Sequence, residues 1–176
     1  MLSSPAGAST TATRMSSDTA TDGVQIVDFS AKYADDFKRL NYEWIEQHFE
    51  IEQADRDALE NPQEKILNRG GHIFIALADG AAVGACALIR HNRTTFELAK
   101  MAVAKEARGK RIGWRLGKAI VRRAKDLGGE TLYLESNSVL KPALRLYEKL
   151  GFSTVTGLPT PYSRCNVQMT LSLNEA

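Results

Sequence analysis

The pattern of apolar and polar positions divides this chain into short, well-separated elements. Val24 to Phe29 alternates, as a half-buried strand does. Tyr33 to Phe49 carries Phe37, Leu40, Tyr42, Trp44, Ile45 and Phe49 at helical spacing. A second helix is expected over Asp55 to Leu59, stopped by Asn61-Pro62, and a short helical piece near Ile66 ends at Gly70-Gly71. His72 to Ala78 and Ala82 to Ile89 are apolar runs joined by Asp79-Gly80, a strong hairpin signal. Thr95 to Val103 reads as the next strand. Gly113 to Leu127 is an amphipathic helix with Ile112, Leu116, Ile120, Ala124 and Leu127 on one face, closed by Gly128-Gly129. Thr131 to Glu135 is a strand, and Leu140 to Leu150 a helix with Pro142 in its first turn and Gly151 as its cap. Ser153 to Thr156 is a short strand, 158–161 a Pro-rich loop, and Cys165 to Leu173 the last strand.

The order β-α-α-β-β-β-α-β-α-β-β starts with hairpin-linked strands and then makes a strand-helix-strand crossover. It therefore predicts an α/β chain with a central mixed sheet flanked by helices, not an all-parallel sheet. Residues 1 to about 23 form a Ser-, Thr- and Ala-rich tail with little to bury, and 24–174 one domain. Met15 is an alternative start. The tail lacks the apolar core of a secretory signal, and with Arg14 as its one base beside Asp18 and Asp22 it reads poorly as a transit peptide.

The net charge of +2 argues for neither nucleic acid nor membrane, and its distribution says more. Lys100 to Lys125 holds ten Lys or Arg and one acid, Glu106, whereas Val24 to Ile66 holds eleven acids and five bases. A basic half suits a polyanionic ligand; an acidic half attracts a cation or is simply a solvated face. Cys86 and Cys165 are far apart, which fits a reducing compartment and a cytoplasmic protein. His48, His72 and His91 have no mutual ligand spacing, so no metal is expected. No apolar run is long enough to span a membrane.

The most specific chemistry lies between Phe96 and Gly113. A strand there ends in Arg108-Gly109-Lys110-Arg111-Ile112-Gly113, which opens a helix. Unpaired N–H groups at a helix start, the helix dipole and glycines that admit close approach all favour phosphate. A P-loop is excluded, because Gly113 to Ala119 has the wrong spacing and Ala119 where a hydroxyl is needed; the dinucleotide fingerprint is absent.

The turn resembles the acyl-CoA pyrophosphate loop of the GNAT (GCN5-related N-acetyltransferase) family, written Q/R-x-x-G-x-G/A. Arg108, Ile112 and Gly113 match, and Arg111 stands where the first glycine usually does. A second stretch, Leu134-Glu135-Ser136-Asn137 followed by Ala143 through Tyr147 to Gly151-Phe152, is similar to the family's A-x-x-x-Y-x-x-x-G-F ending. The family's usual Asn, seven residues before the tyrosine, is Leu140 here, with Asn137 three residues earlier. The resemblance covers about Val24 to Leu173 and implies the GNAT acyl-CoA N-acyltransferase fold.

It also implies acetyl-CoA as acyl donor. Main-chain groups of Met101, Ala102 and Val103 would pair with the pantetheine arm. The turn Arg108, Gly109, Lys110, Arg111, Ile112 and Gly113 would cradle the pyrophosphate, with Trp114 and Asn137 completing the cofactor set and Arg115 adding charge. Glu97 is the implied base or water-orienting carboxylate, its alternative being an exposed strand carboxylate. Tyr147 is the implied acid for the leaving thiolate, its alternative a core tyrosine. A main-chain N–H of Met101 to Val103 would polarise the acyl carbonyl. Cys165 as an acyl-enzyme nucleophile competes poorly with a small apolar strand residue. His48, Trp44, Phe49 and Tyr162 are candidates for the acceptor wall, against surface or core roles. Gly109, Gly113 and Gly117 form a small-residue row suited to close packing on cofactor or sheet.

The expected activity is transfer of an acetyl group from acetyl-CoA to a primary amine, a small molecule or amino acid, by direct attack in a ternary complex. The alternatives are acetylation of protein N-termini or lysines in a basic peptide, and a non-catalytic acyl-CoA-binding module. Nucleic acid and membrane are not expected partners, and a homodimer stays open.

Overall fold

The computed structural model describes residues 23–174. The readings made on residues 1–22, including Met15 as a start and the nature of the tail, lie outside the described residues.

Helix α1 (Ala34–Glu46), preceded by a 3₁₀ turn at Ala31–Tyr33, buries Phe37, Leu40 and Ile45. Asp35 and Asp36 sit in its first turn, where the helix dipole favours them. It stops short of the expected Phe49: the N–H groups of His48 and Phe49 both return to the Ile45 carbonyl, at 3.1 and 2.8 Å. That tight turn swings Phe49 towards the interior and leaves His48 exposed. Helix α2 (Gln53–Glu60) starts two residues earlier than expected, because Glu52 and Asp55 form a reciprocal capping box. The Asn61-Pro62 stop holds, and Pro62 opens a short helix α3 (Pro62–Lys65).

Strands β1 (Val24–Asp28), β2 (His72–Ala78), β3 (Ala81–Arg90), β4 (Thr95–Val103), β5 (Thr131–Ser136), β6 (Ser153–Val155) and β7 (Val167–Ser172) form one mixed sheet of order β1-β2-β3-β4-β5-β7-β6. All pairs are antiparallel except β4–β5. The β2–β3 hairpin turns at Asp79 and Gly80, both with positive φ (50° and 82°), as a two-residue turn of this twist requires.

Helix α4 (Ile112–Asp126) is the crossover between β4 and β5 and buries Ile112, Leu116, Ile120 and Ala124 against β1 to β4. Gly84 on β3 makes room for it, since a Cβ there would lie 3.0 Å from Ile112 Cγ2. The expected glycine row is corrected in two respects. Gly109 lies in the turn before the helix, and Gly113 and Gly117 face helix α5 (Lys141–Leu150), where added Cβ atoms would meet Leu146 at 3.1 Å and Leu150 at 2.6 Å. The row serves helix–helix packing. Strand β7 begins at Val167, not at Cys165: the Cys165 N–H turns back to the Tyr162 carbonyl (3.3 Å), which keeps Cys165 in the preceding loop.

Phe96 and Leu98 point from β4 into the core, whereas Glu97 and Ala99 point to the face that α1 covers. The functional face of β4 is therefore the one opposite α4.

Candidate active site

The site begins where two strands part. Parallel pairing of β4 with β5 runs only from Thr95↔Thr131 to Glu97↔Tyr133. Beyond that point neither strand has the other as partner, and the divergence leaves one edge of β4 open from Leu98 to Val103. On the other edge the β3 ladder skips: Ala87 faces Ala99 and Ala85 faces Ala102, so Cys86 alone opposes Lys100 and Met101. This is a β-bulge, and Lys100 within it has φ +52°.

The split opens into a cavity of about 320 Å³ that reaches from Met101 and Tyr147 to Glu97, Glu135 and Tyr162. Trp44 and Phe49 line it, as does Tyr162; His48 does not. The structure thus brings Glu97 and Met101 of β4 together with Asn137 of the loop after β5 and Tyr147 of α5.

Glu97 is 12 % exposed, and one carboxylate oxygen, Oε2, is 2.7 Å from His91 Nε2. That bond raises the His91 pKa, burial opposes the rise, and the charges of Glu97 and Glu135 reinforce it. A second carboxylate, Glu135, accepts hydrogen bonds from the Tyr133 hydroxyl (2.7 Å) and the Thr160 hydroxyl (2.8 Å). Burial first, then the Glu135 bond, pushes the Tyr133 phenol well above its usual range. The Tyr147 hydroxyl has no hydrogen-bond partner among the described residues, and burial raises its pKa strongly. It stays protonated until something in the cavity takes its proton.

At the far end of the cavity lies a buried ionic network. Asp55 is fully buried; its carboxylate accepts two bonds from Arg164 (both 2.7 Å) and one from Lys100 Nζ (2.9 Å). Arg164 also pairs with Glu52 (3.1 Å), and Glu52 accepts from the Ser163 N–H and hydroxyl (both 3.1 Å). Lys100 donates to the Tyr162 hydroxyl at 2.6 Å. Burial alone would raise the Asp55 carboxyl, but the Arg164 bonds and the Lys100 charge outweigh it and hold it at about 2. Through these contacts α2, the bulge of β4 and the loop before β7 become one wall.

The turn after β4 has the form an anion site needs. Arg111 caps α4 in the left-handed conformation (φ +59°), the geometry for which glycine is the usual residue. Gly109 is also left-handed, and a Cβ on it would meet nothing within 4 Å, so the main chain there is open to a ligand. Arg108, Lys110 and Arg111 are exposed. Arg108 reaches Gln47 at the end of α1 (2.8 Å), and Arg111 and Lys118 lie over the Trp114 ring. Gly113 joins the turn to the bulge, its missing Cβ falling 3.8 Å from Met101 Sδ. These residues fit a polyanion.

Three assignments need correcting. The Ile112 side chain lies in the core, so only its main chain faces the turn. Arg115 points away, donating to the Val24 carbonyl of β1 at 3.0 Å. Asn137 lines the cavity, but its amide donates to the Arg164 carbonyl (2.7 Å) and its oxygen accepts from the Val139 N–H (3.0 Å), so it shapes the loop that leads into α5.

Asp55, Lys100, Tyr133, Arg164 and His91 lie in no motif, and Glu135, although inside the stretch Leu134-Glu135-Ser136-Asn137, has no role assigned by it. Two had a signal. In Thr131-Leu-Tyr-Leu-Glu135 the polar positions alternate, which places Tyr133 and Glu135 on one face. Lys100 is a lone cation inside an apolar strand, which marks an irregularity.

Comparison with known proteins gives a consistent result. The model of the acetyltransferase (GNAT) family matches residues 35–152. An uncharacterised N-acetyltransferase of Schizosaccharomyces pombe is 33% identical over 125 residues, 68% of this chain and 76% of that one. Among solved structures, a GNAT-family acetyltransferase of Staphylococcus aureus superposes with a TM-score of 0.79 at 23% identity, over 86% of this chain and 99% of its own. The yncA protein of Salmonella typhimurium, solved with its cofactor acetyl-CoA, superposes with a TM-score of 0.69 at 17% identity, over 88% and 96%. The family model over residues 35–152 and the relative at 33% identity, with the open β4 edge and the turn before α4, identify the chain as a member of the GNAT acetyltransferase family.

Proposed function

We propose that this protein transfers an acetyl group from acetyl-CoA to a small primary amine by direct attack within a ternary complex. The observation that carries the reading is the split between β4 and β5: it lies between the anion-binding turn and the carboxylate-lined cavity, with Glu97, Met101 and Tyr147 along its length. Acetyl-CoA supplies a thioester carbonyl open to attack. The chain's own groups then have three tasks.

The first is to make the amine neutral. With a pKa near ~10.4, only about one amine in a thousand is neutral at pH 7, a cost of roughly 4–5 kcal/mol. Glu97 offers one carboxylate oxygen for the amine proton while His91 holds the other. The second task, polarising the acyl carbonyl, falls to a main-chain N–H of Met101, Ala102 or Val103 on the open edge of β4. The third is to protonate the leaving thiolate, for which the Tyr147 hydroxyl is free and protonated. Burial makes a phenol a weaker acid, and the same burial makes a thiolate a stronger base.

The remaining residues of the predicted cofactor set act as a cradle. Arg108, Gly109, Lys110, Arg111, Ile112 and Gly113 hold the pyrophosphate through main-chain N–H groups and exposed cations, and Trp114 flanks it. Acceptor size follows from the latch between Asp55 and Arg164, which ties the loop at 157–166 against α2 and leaves about 320 Å³, room for a small amine more than for a folded chain. The acceptor is cationic, because Lys100 and Arg164 are already neutralised by Asp55 and Glu52 while Glu97 and Glu135 are not matched by a second Lys or Arg in the cavity wall. The reading includes a cytoplasmic setting, supported by the free thiols of Cys86 and Cys165.

The test is release of free CoA from acetyl-CoA, followed by thiol detection, across amines, amino acids and basic peptides. Release that depends on a small amine supports the reading. Release with basic peptides alone replaces the acceptor class. No release, with acetyl-CoA still raising Tm, makes the chain a binding module.

A further inference from the structure

Lys100 combines two features with no apparent local cause. It is a β-branch-free but full-length side chain in the left-handed region, φ +52°, within a strand. That region disfavours every residue with a Cβ, and lysine lacks the short polar side chain by which Asn or Asp settles there. Yet its side chain is only 7 % exposed, with its ammonium bonded to Asp55 (2.9 Å) and to the Tyr162 hydroxyl (2.6 Å) and set 4.6 Å from the centre of the Tyr162 ring.

The anchor is itself fixed. Asp55 lies in the first turn of α2, closes the capping box with the Glu52 N–H (2.9 Å), and is gripped by both terminal nitrogens of Arg164. The bulge that Lys100 occupies shifts β4 by one residue against β3, so that Lys100 and Met101 share Cys86 opposite them while Ala102 and Val103 rejoin the ladder. Met101 lines the same cavity as Glu97 and Tyr147.

We infer that Asp55 and Lys100 are positioning residues for acetyl transfer: the buried Asp55–Lys100–Tyr162 tether holds the β4 main chain in its bulge, and the bulge aims the Met101 N–H at the donor carbonyl. The inference rests on the reading of the split as the acetyl-transfer site. The Lys100 ammonium plays no part as base or acid, being paired with Asp55 and closed in by Tyr162. What matters is the backbone angle that its side chain enforces.

Comparison of Lys100→Ala with Lys100→Gly separates these roles. Both remove the ammonium. Alanine keeps the Cβ penalty at positive φ and loses the tether, so the bulge relaxes; glycine adopts the angle without one. At an ordinary strand position glycine is the worse substitute. Here kcat for Lys100→Gly is expected to exceed that for Lys100→Ala by about tenfold or more, with KM for acetyl-CoA within about threefold of wild type in both. A second readout needs no turnover: in the ligand-free protein the Met101 amide resonance stays near its wild-type position in Lys100→Gly and moves in Lys100→Ala. Equal losses, no loss, or a better alanine variant would overturn the inference. If wild type releases no CoA with any acceptor, the acetyl-transfer reading falls, and the Met101 resonance alone decides whether the tether sets the bulge. Should Lys100→Ala not fold, Tyr162→Phe replaces it. Its kcat deficit disappears in the Lys100→Gly background if the tether is the cause, and persists there if Tyr162 acts directly.

Discussion

The two halves of this site are built on opposite principles. On the donor side, the turn from Arg108 to Gly113 is exposed and makes its site from main-chain geometry and unpaired cations. On the proposed acceptor side, Asp55 is fully buried, Lys100 and Arg164 are largely so, and the three spend their charges on one another. Exposed charges are solvated and tolerate substitution, whereas buried ones depend on every partner remaining in place. The difference teaches where each half is vulnerable: the turn in ligand affinity, the network in folding and geometry.

The sharpest break of this comparison is Asp55→Ala. It leaves Lys100 and Arg164 buried without their carboxylate and is expected to cost about 3–5 kcal/mol in urea unfolding, while Lys110→Ala in the turn stays within about 0.5 kcal/mol. Similar losses for the two would erase the distinction. Next in size is Glu97→Gln, which keeps the shape and removes the base. Its kcat should fall roughly 10²- to 10⁴-fold with the KM for acetyl-CoA nearly unchanged. A rise in that KM at constant kcat would move Glu97 to the donor side.

Acid sharpens the same contrast. The folded Asp55 carboxyl, at about 2, lies below its ordinary 3.8, so folding favours the ionised form. Its contribution, about 2 kcal/mol, is fully present above the ordinary value and is lost as pH falls through about 2. Unfolding free energies from pH 6 down to pH 2 should therefore decline less steeply in Asp55→Asn than in wild type. His91 has the opposite sign. Its pKa is raised, so it carries its charge beside Glu97 at low pH and gives it up as pH rises through the raised value. Loss of that charge removes the cation held against the Glu97 carboxylate, so kcat/KM for a cationic amine is expected to rise across this step; His91→Gln should remove the step from the profile.

The smallest effect is expected at Arg111. Replacing it by glycine relieves a left-handed arginine and removes one exposed charge. Stability should change by no more than about 1 kcal/mol, in the favourable direction, and KM for acetyl-CoA should rise roughly two- to fivefold. Thermal melts and initial rates measure both.

Much of the fold was legible in the sequence. Asp79-Gly80 specified its hairpin because both residues tolerate the positive φ that a type I′ two-residue turn demands. The stripe from Ile112 to Ala124 specified α4 because a 3.6-residue period buries one face. Errors gathered where local hydrogen bonds outbid periodicity. The apolar pattern continued to Phe49, but the Gln47 and His48 N–H groups bonded three residues back, to Trp44 and Ile45, and tightened α1 to its end; the alternation began at Cys165, but its N–H turned back to Tyr162. The form of the turn from Arg108 to Gly113 was readable because it is made by consecutive residues. Arg115 broke the pattern, since its direction depends on how α4 is rotated against β1.

By itself, then, the sequence determined those features whose physics is local: the elements, the hairpin, the glycine- and arginine-rich turn before α4 and the family they share. Tertiary structure alone decided that β4 and β5 part after Glu97 and Tyr133, that His91 holds Glu97, and that Asp55 meets Arg164 across more than a hundred residues of chain. A buried charge finds its partner only when distant segments meet, because the cost of leaving water is repaid by proximity in space and not along the chain.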